Sequence, residues 1–258
     1  MTGYRIQVLD VPDLNASLVQ SAMREVEILV SSLPDDFALL SVAEQICAVA
    51  TRGAAWIDTS TVSAQASAGV AEQCEQAGVR YLRATVSGNN YMMEAAQVTV
   101  MASGPRLLYD EMLPVLQCFG PKLFYLGQGE ESRLMKLVIN LMIVQTSSML
   151  AEALTLGQKG GLGWQNMWEV IAASAVGSPI VKAKAAQLSQ RDFTPTFTVP
   201  QMLKDVDLML GEADRLQVPL PQTSLTRQSL LASLAQGHCA EDYASIIRVC
   251  EAAAGISS

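Results

Sequence analysis

Histidine is almost missing from this sequence: one residue, His238, in 258. That scarcity argues against a zinc site built on histidine. His238 stands beside Cys239, but two adjacent residues do not supply a zinc coordination shell, so no metal is expected. The five cysteines, Cys47, Cys74, Cys118, Cys239 and Cys250, are odd in number, scattered and without a Cys-x-x-Cys pair. They are expected to be reduced thiols of a cytoplasmic protein. Basic charge is also short, with 17 Lys plus Arg against 25 Asp plus Glu and a net charge of −8. Neither nucleic acid nor an anionic membrane is an expected partner, because both require clustered cations. The first nine residues alternate polar and apolar and show no leader pattern. The most apolar stretch, residues 134–156, is interrupted by Lys136, Asn140, Gln145 and Glu152, which argues against a membrane span.

Half of the residues are apolar and 16% are charged, the balance of a globular chain with a real core. Up to residue 129, short β-branched runs alternate with alanine-rich ones. Strands are expected at residues 4–9, 27–31, 54–58, 79–84, 97–102 and 123–126, with helices at 15–23, 37–49, 63–77 and 105–118. That alternation predicts a parallel sheet covered on both faces. Beyond Gly127-Gln128-Gly129 the apolar residues recur at helical spacing through 134–159, 164–174, 179–188, 199–216 and 223–235. The expected organisation is therefore an α/β domain over residues 1–129 followed by an all-helical domain over residues 130–258.

An α/β sheet binds ligands beyond the carboxyl ends of its strands. Three segments fall there: Ser31-Ser32-Leu33-Pro34-Asp35-Asp36, Asp58-Thr59-Ser60-Thr61-Val62-Ser63, and Ala84-Thr85-Val86-Ser87-Gly88-Asn89-Asn90. Their hydroxyls and amides suit a phosphate, ribose or carboxylate, and equally suit helix caps and ordinary turns. The fourth feature is Lys136 with Asn140, four residues apart and hence on one helical face, among Leu, Met, Val and Ile. A lysine in such company either snorkels to solvent or is partly buried with a lowered pKa suited to proton transfer.

Taken in order, these pieces resemble the β-hydroxyacid dehydrogenases, which include 3-hydroxyisobutyrate dehydrogenase and tartronate semialdehyde reductase and are related to 6-phosphogluconate dehydrogenase. That family carries M-L-P, D-x-S-T, D-A-P-V-S-G-G, G-x-G-x-x-x-K-x-x-x-N on the first helix of its helical domain, and F-x-x-x-x-x-x-K-D. Here stand Ser32-Leu33-Pro34, Asp58-Thr59-Ser60-Thr61, Arg83-Ala84-Thr85-Val86-Ser87-Gly88-Asn89, the run from Gly127 to Asn140, and Phe197 followed by Lys204-Asp205. The resemblance runs from about Val26 to the end of the chain. It implies a Rossmann-like sheet domain, abbreviated at its N-terminus, joined to a helical domain that makes a homodimer or higher homo-oligomer. It also implies transfer of hydride between NAD or NADP and a small 3-hydroxy acid or the matching semialdehyde or keto acid. By it, Lys136 and Asn140 would be catalytic, Ser87, Gly88 and Asn89 would hold the substrate carboxylate, and Ser60 would meet the substrate beside the nicotinamide. Leu33, Pro34, Thr61 and Lys204 would meet the cofactor.

Three departures accompany the resemblance. The family's G-x-G-x-x-G loop is absent; Met1–Asp10 resembles instead the family's second strand, in which case Asp10 favours NAD. In a competing alignment residues 4–9 take the place of the first strand and Asp10-Val11-Pro12-Asp13 replaces the loop. Arg83, Thr85 and Asn89 replace the usual Asp, Pro and Gly, and Glu130 and Glu131 occupy a turn where small residues are usual. Two alternatives follow: a relative that keeps the fold and dimer but binds dinucleotide weakly, and an imine reductase-like enzyme, against which Lys136 counts.

Overall fold

A computed structural model describes residues 26–256. The strand and helix expected at residues 4–9 and 15–23, together with Asp10 and its alternative loop, lie outside the described residues. The chain divides into two compact units, one running through Lys136 and the other from Leu137 onward.

The first unit contains strands β1 (Ile28–Ser31), β2 (Ala55–Asp58), β3 (Arg80–Ser87), β4 (Thr99–Ser103) and β5 (Lys122–Gly127). They lie side by side in sequence order. Helices α1 (Asp36–Val49), α2 (Ala64–Ala77), α3 (Asn90–Glu94) and α4 (Arg106–Leu116) fall between them. Strand alternation sorts the core into two layers. Trp56 and Tyr81 point to the face covered by α1 and α2, where Leu39, Ile46 and Val70 are buried. Ile57 and Leu82 point to the other face, where they meet Leu108 and Met112 of α4.

The sheet corrects one expectation. β1, β2 and β3 are parallel to one another and β5 is parallel to β4, but β3 and β4 are antiparallel. A parallel return takes a crossover of a dozen or more residues, and residues 88–98 supply only a turn and the five-residue α3. Gly88 makes that turn at φ +154°, and a Cβ there would stand 2.7 Å from Val98 Cγ1. Helix starts follow the caps: Asp35 accepts from Ala38 N, Ser63 from Ala66 N and Asn89 from Met92 N.

The long helix α5 (Glu131–Lys159) begins in the first unit and continues into the second. The second unit adds α6 (Trp164–Ala173), α7 (Pro179–Leu188), α8 (Val199–Leu216), α9 (Pro221–Ala235), a 3-10 turn at Tyr243–Ser245 and α10 (Ile246–Ala253). The last two were not anticipated. Val144, Leu154, Val199, Val206 and Leu230 are fully buried at its centre. The start of α8 is fixed by a capping box, in which Thr198 and Gln201 satisfy each other's amides, with Pro200 in the first turn. α5 does reach the length and mean hydropathy, 1.5, of a membrane span. It also places Ser132, Arg133 and Asn140 in the protein interior, as a core helix does.

Candidate active site

The carboxyl ends of β1 and β2 are tied together by Asp58, which is fully buried. Ser31 Oγ donates to Asp58 Oδ1 at 2.5 Å and accepts from Trp56 Nε1 at 2.8 Å. Ser60 Oγ donates to the same carboxylate oxygen at 2.7 Å and accepts from Leu33 N at 2.8 Å. The Ser60 hydroxyl is therefore satisfied within the protein and lies beneath the surface, whereas Leu33 is half-buried and Pro34 exposed at the loop's rim. Thr61, next along the chain, is half-buried.

The first turn of α5 docks onto this floor. Arg133, 1% exposed, pairs through Nη2 with Asp58 Oδ2. It also donates to Tyr81 Oη at 2.9 Å, Ser60 O at 2.5 Å and Ser67 Oγ at 3.2 Å. Burial works against its charge, but the Asp58 carboxylate, which it pairs with and hydrogen-bonds, more than offsets this and holds its pKa above the ordinary value. Burial pushes the Tyr81 phenol upward, so it remains a neutral donor toward Asp58 Oδ2 at 3.3 Å. Ser132 adds a second tie, accepting from Thr85 N at 3.2 Å and donating to Met101 O at 2.7 Å.

The departures from the family pattern are partners of one another. Arg83 is ion-paired with Glu130, and Thr85 is bonded to Ser132. Glu131 turns its carboxylate back to accept from Gly129 N at 2.8 Å. Each acid that threatened an anionic ligand is thus engaged, one by a guanidinium and the other by a backbone amide at a helix start. Gly127 and Gly129 form the turn before α5, and the residues that meet the sheet are Glu130, Ser132 and Arg133.

Lys136 stands one turn beyond Arg133. Its ammonium donates to Val86 O at 2.8 Å, immediately before Ser87-Gly88-Asn89. Lys136 and that turn are therefore adjacent within the first unit, with Ser87 half-buried and Gly88 and Asn89 exposed. The Asn89 side chain is occupied in capping α3, which leaves its backbone and Ser87 as the polar groups presented there. In the second unit Asn140 Nδ2 donates to Asp205 Oδ2 at 2.7 Å, and Lys204 Nζ lies 2.8 Å from Asp205 Oδ1. The Asp205 carboxylate fixes which end of the Asn140 amide faces it and leaves the carbonyl oxygen directed elsewhere. Lys204 is accordingly ion-paired, with its side chain 30% exposed.

Sequence reasoning missed Arg133, Ser132 and the clasp of Asp205 on Asn140. The available signal was helical: Arg133, Lys136 and Asn140 are three and four residues apart on one continuous helix.

Two family models match the chain in succession. Residues 13–127 match the NAD binding domain of 6-phosphogluconate dehydrogenase, and residues 127–250 the NAD-binding domain of NADP-dependent 3-hydroxyisobutyrate dehydrogenase. Glyoxylate/succinic semialdehyde reductase 1 of Arabidopsis thaliana is 28% identical over 225 residues, covering 84% of this chain and 76% of its own length. The 2-(hydroxymethyl)glutarate dehydrogenase of Eubacterium barkeri is 29% identical over 235 residues, covering 90% of this chain and 78% of its own. The fold matches that of 3-hydroxyisobutyrate dehydrogenase from Salmonella typhimurium with a TM-score of 0.83 at 22% identity, over 90% of this chain and 82% of that one. An imine reductase from Pseudomonas matches less well, with a TM-score of 0.55 at 15% identity over 89% of this chain and 81% of that one. A Rossmann-like sheet followed by a helical region, with the ordered motifs and these two consecutive matches, gives the chain its family: it belongs to the β-hydroxyacid dehydrogenases.

Proposed function

We propose that this chain is an NAD(P)-dependent oxidoreductase that interconverts a small 3-hydroxy acid and the matching semialdehyde or keto acid. The observation that carries this is the Lys136 ammonium at 2.8 Å from Val86 O, beside the Ser87–Asn89 turn. A bound nicotinamide supplies or accepts the hydride. What the protein must add is a proton carrier and an anion clamp. Lys136 donates a proton to the carbonyl oxygen during reduction and takes it from the hydroxyl during oxidation. Ser87 and the backbone of Gly88 and Asn89 hold the substrate carboxylate. Asn140, oriented by Asp205, aligns the reacting oxygen.

The residues present fit an anionic dinucleotide. Asp58, buried at the end of β2, and Glu130, half-buried in the turn before α5, are ion-paired with Arg133 and Arg83. Within the first unit, the half-buried Leu33, the exposed Pro34 and the Thr61 hydroxyl are the groups proposed to meet the cofactor, and the family motif adds Lys204. Ser60 holds Leu33 N through its hydroxyl. The relatives named above reduce glyoxylate or succinic semialdehyde, or oxidise 2-(hydroxymethyl)glutarate, by their names. That points to a small carboxylate with a carbonyl or hydroxyl group close by. Along α5, Met142, Met149 and Leu156 are 66%, 49% and 77% exposed at seven-residue spacing, an apolar stripe that supports a homodimer or higher homo-oligomer through the helical domain. The five cysteines are free, which supports a cytoplasmic location.

The test is titration of the purified protein with NADH and NADPH, followed by turnover with glyoxylate, succinic semialdehyde and related semialdehydes. Micromolar binding with substrate-dependent oxidation of either nucleotide is expected. Binding without turnover of any carboxylate substrate would contradict the proposal. Absence of dinucleotide affinity would favour the alternative of a non-catalytic relative.

A further inference from the structure

Arg133 is buried deeper than a lysine- or arginine-bearing helix surface requires. Its guanidinium makes four contacts, to Asp58, Ser60, Ser67 and Tyr81, and every one lies on the sheet side of the helix start. Two of those contacts are to the Asp58 carboxylate, at the last residue of β2, and to the Ser60 carbonyl, in the loop that follows it. Ser60 in turn holds Leu33 N through its hydroxyl. Arg133 is also three residues before Lys136 on the same helix, about 4.5 Å along the axis at the standard rise. A tilt or slide of that first turn moves both side chains together. The planar fork of an arginine fixes direction as well as distance, which a single ammonium does not.

We propose that Arg133 is a positioning residue for this site: a buried clamp that sets the Lys136 turn against the Asp58–Thr61 loop and, through Ser60, against Leu33. The inference rests on the assignment of Lys136 as proton carrier. Arg133 itself touches neither substrate nor cofactor. It converts two loops and a helix start into one rigid frame, so that the proton carrier and Leu33 keep a fixed separation.

The decisive variants are Arg133→Lys, which keeps the charge and loses the fork, and the double variant Asp58→Asn/Arg133→Gln, which removes both charges and so leaves no buried ion unpaired. Two quantities are measured on each folded protein: kcat and KM for the carboxylate substrate, and native-state hydrogen exchange at the Leu33 amide. The clamp predicts a fall in kcat of about 10-fold or more with KM changed less than about 3-fold, since a displaced catalytic group costs rate more than affinity. It predicts Leu33 exchange faster by about 10-fold or more in both variants, because local opening sets exchange. A kcat within about 2-fold of wild type in both variants would overturn the clamp and leave Arg133 a stabilising ion pair only. A reduced kcat with unchanged Leu33 exchange would overturn it as well. Should the wild type show no turnover, the assignment of Lys136 falls, and the exchange measurement alone then decides the clamp: acceleration sustains it and no change refutes it.

Discussion

At the strand ends of the sheet unit, Arg83, Arg133 and Asp58 are buried together with the hydroxyls of Ser31, Ser60, Ser67, Thr85 and Ser132, and the half-buried Glu130 pairs with Arg83. In the helical unit the interior is mainly apolar, around residues such as Val144, Leu154 and Val206, and buried charge is confined to separate groups such as Lys184–Asp242 and the Asp205 clasp on Asn140. The two regions hold their functional groups by different physics. A polar network fixes direction, because each hydrogen bond has an angle as well as a length. Apolar packing fixes volume, and the side chains it carries take their direction from the helix. The proton carrier proposed here emerges from the first kind of region and the orienting asparagine from the second.

The contrast is sharpest in what each region loses on substitution. Arg133→Met leaves Asp58 buried and unpaired and is expected to cost about 3–5 kcal/mol, whereas Asp58→Asn/Arg133→Gln should recover most of that; urea unfolding of the set measures the coupling. Leu154→Ala, at a fully buried position, should cost about 2–5 kcal/mol through a cavity. No partner substitution in the polar network should restore it, and kcat per folded molecule should be unchanged. If the Arg133 and Asp58 effects simply add, the network is not a network and the distinction between the regions fails.

Thiol reactivity probes both regions by a smaller effect. Burial raises the Cys74 thiol most, with nearby Cys47 at 3.9 Å adding to it, and burial also raises Cys47 and Cys250. A raised thiol pKa means less thiolate at mildly alkaline pH and slower alkylation. Mass spectrometry at pH about 8 should therefore find exposed Cys118 and Cys239 modified first. At the low end stands Arg80→Ala. Its exposed pairing with Glu111 should leave the urea midpoint unchanged within error, because solvent screens such a bridge.

Much of the fold was legible because alternation and helical spacing are local. β1 to β5 and α5 to α9 lie close to where the periodicity puts them. The direction of β4 was not, since it depends on how far residues 88–98 can reach rather than on the composition of either strand. α3 and α10 are short and their starts look like turns. In the site, Lys136 and Asn140 stood out by spacing, but Arg133 did not. A single arginine in an apolar helix reads as a snorkelling side chain, and its partner Asp58 is 75 positions earlier. Arg83 and Glu130, 47 positions apart, each looked like an isolated departure; their opposite charges were the only hint that one compensates the other. Ser60 shows the converse. Its place in a motif suggested ligand contact, while its hydroxyl is used by Asp58 and Leu33.

The central claim is that Lys136 moves the proton in a nicotinamide-dependent reaction, and the most direct measurement is kcat for semialdehyde reduction by Lys136→Ala beside the wild type, with NAD(P)H affinity measured in parallel. A kcat lower by about 10²–10⁴-fold with nucleotide affinity retained is the predicted result. Turnover equal to that of the wild type would contradict the account.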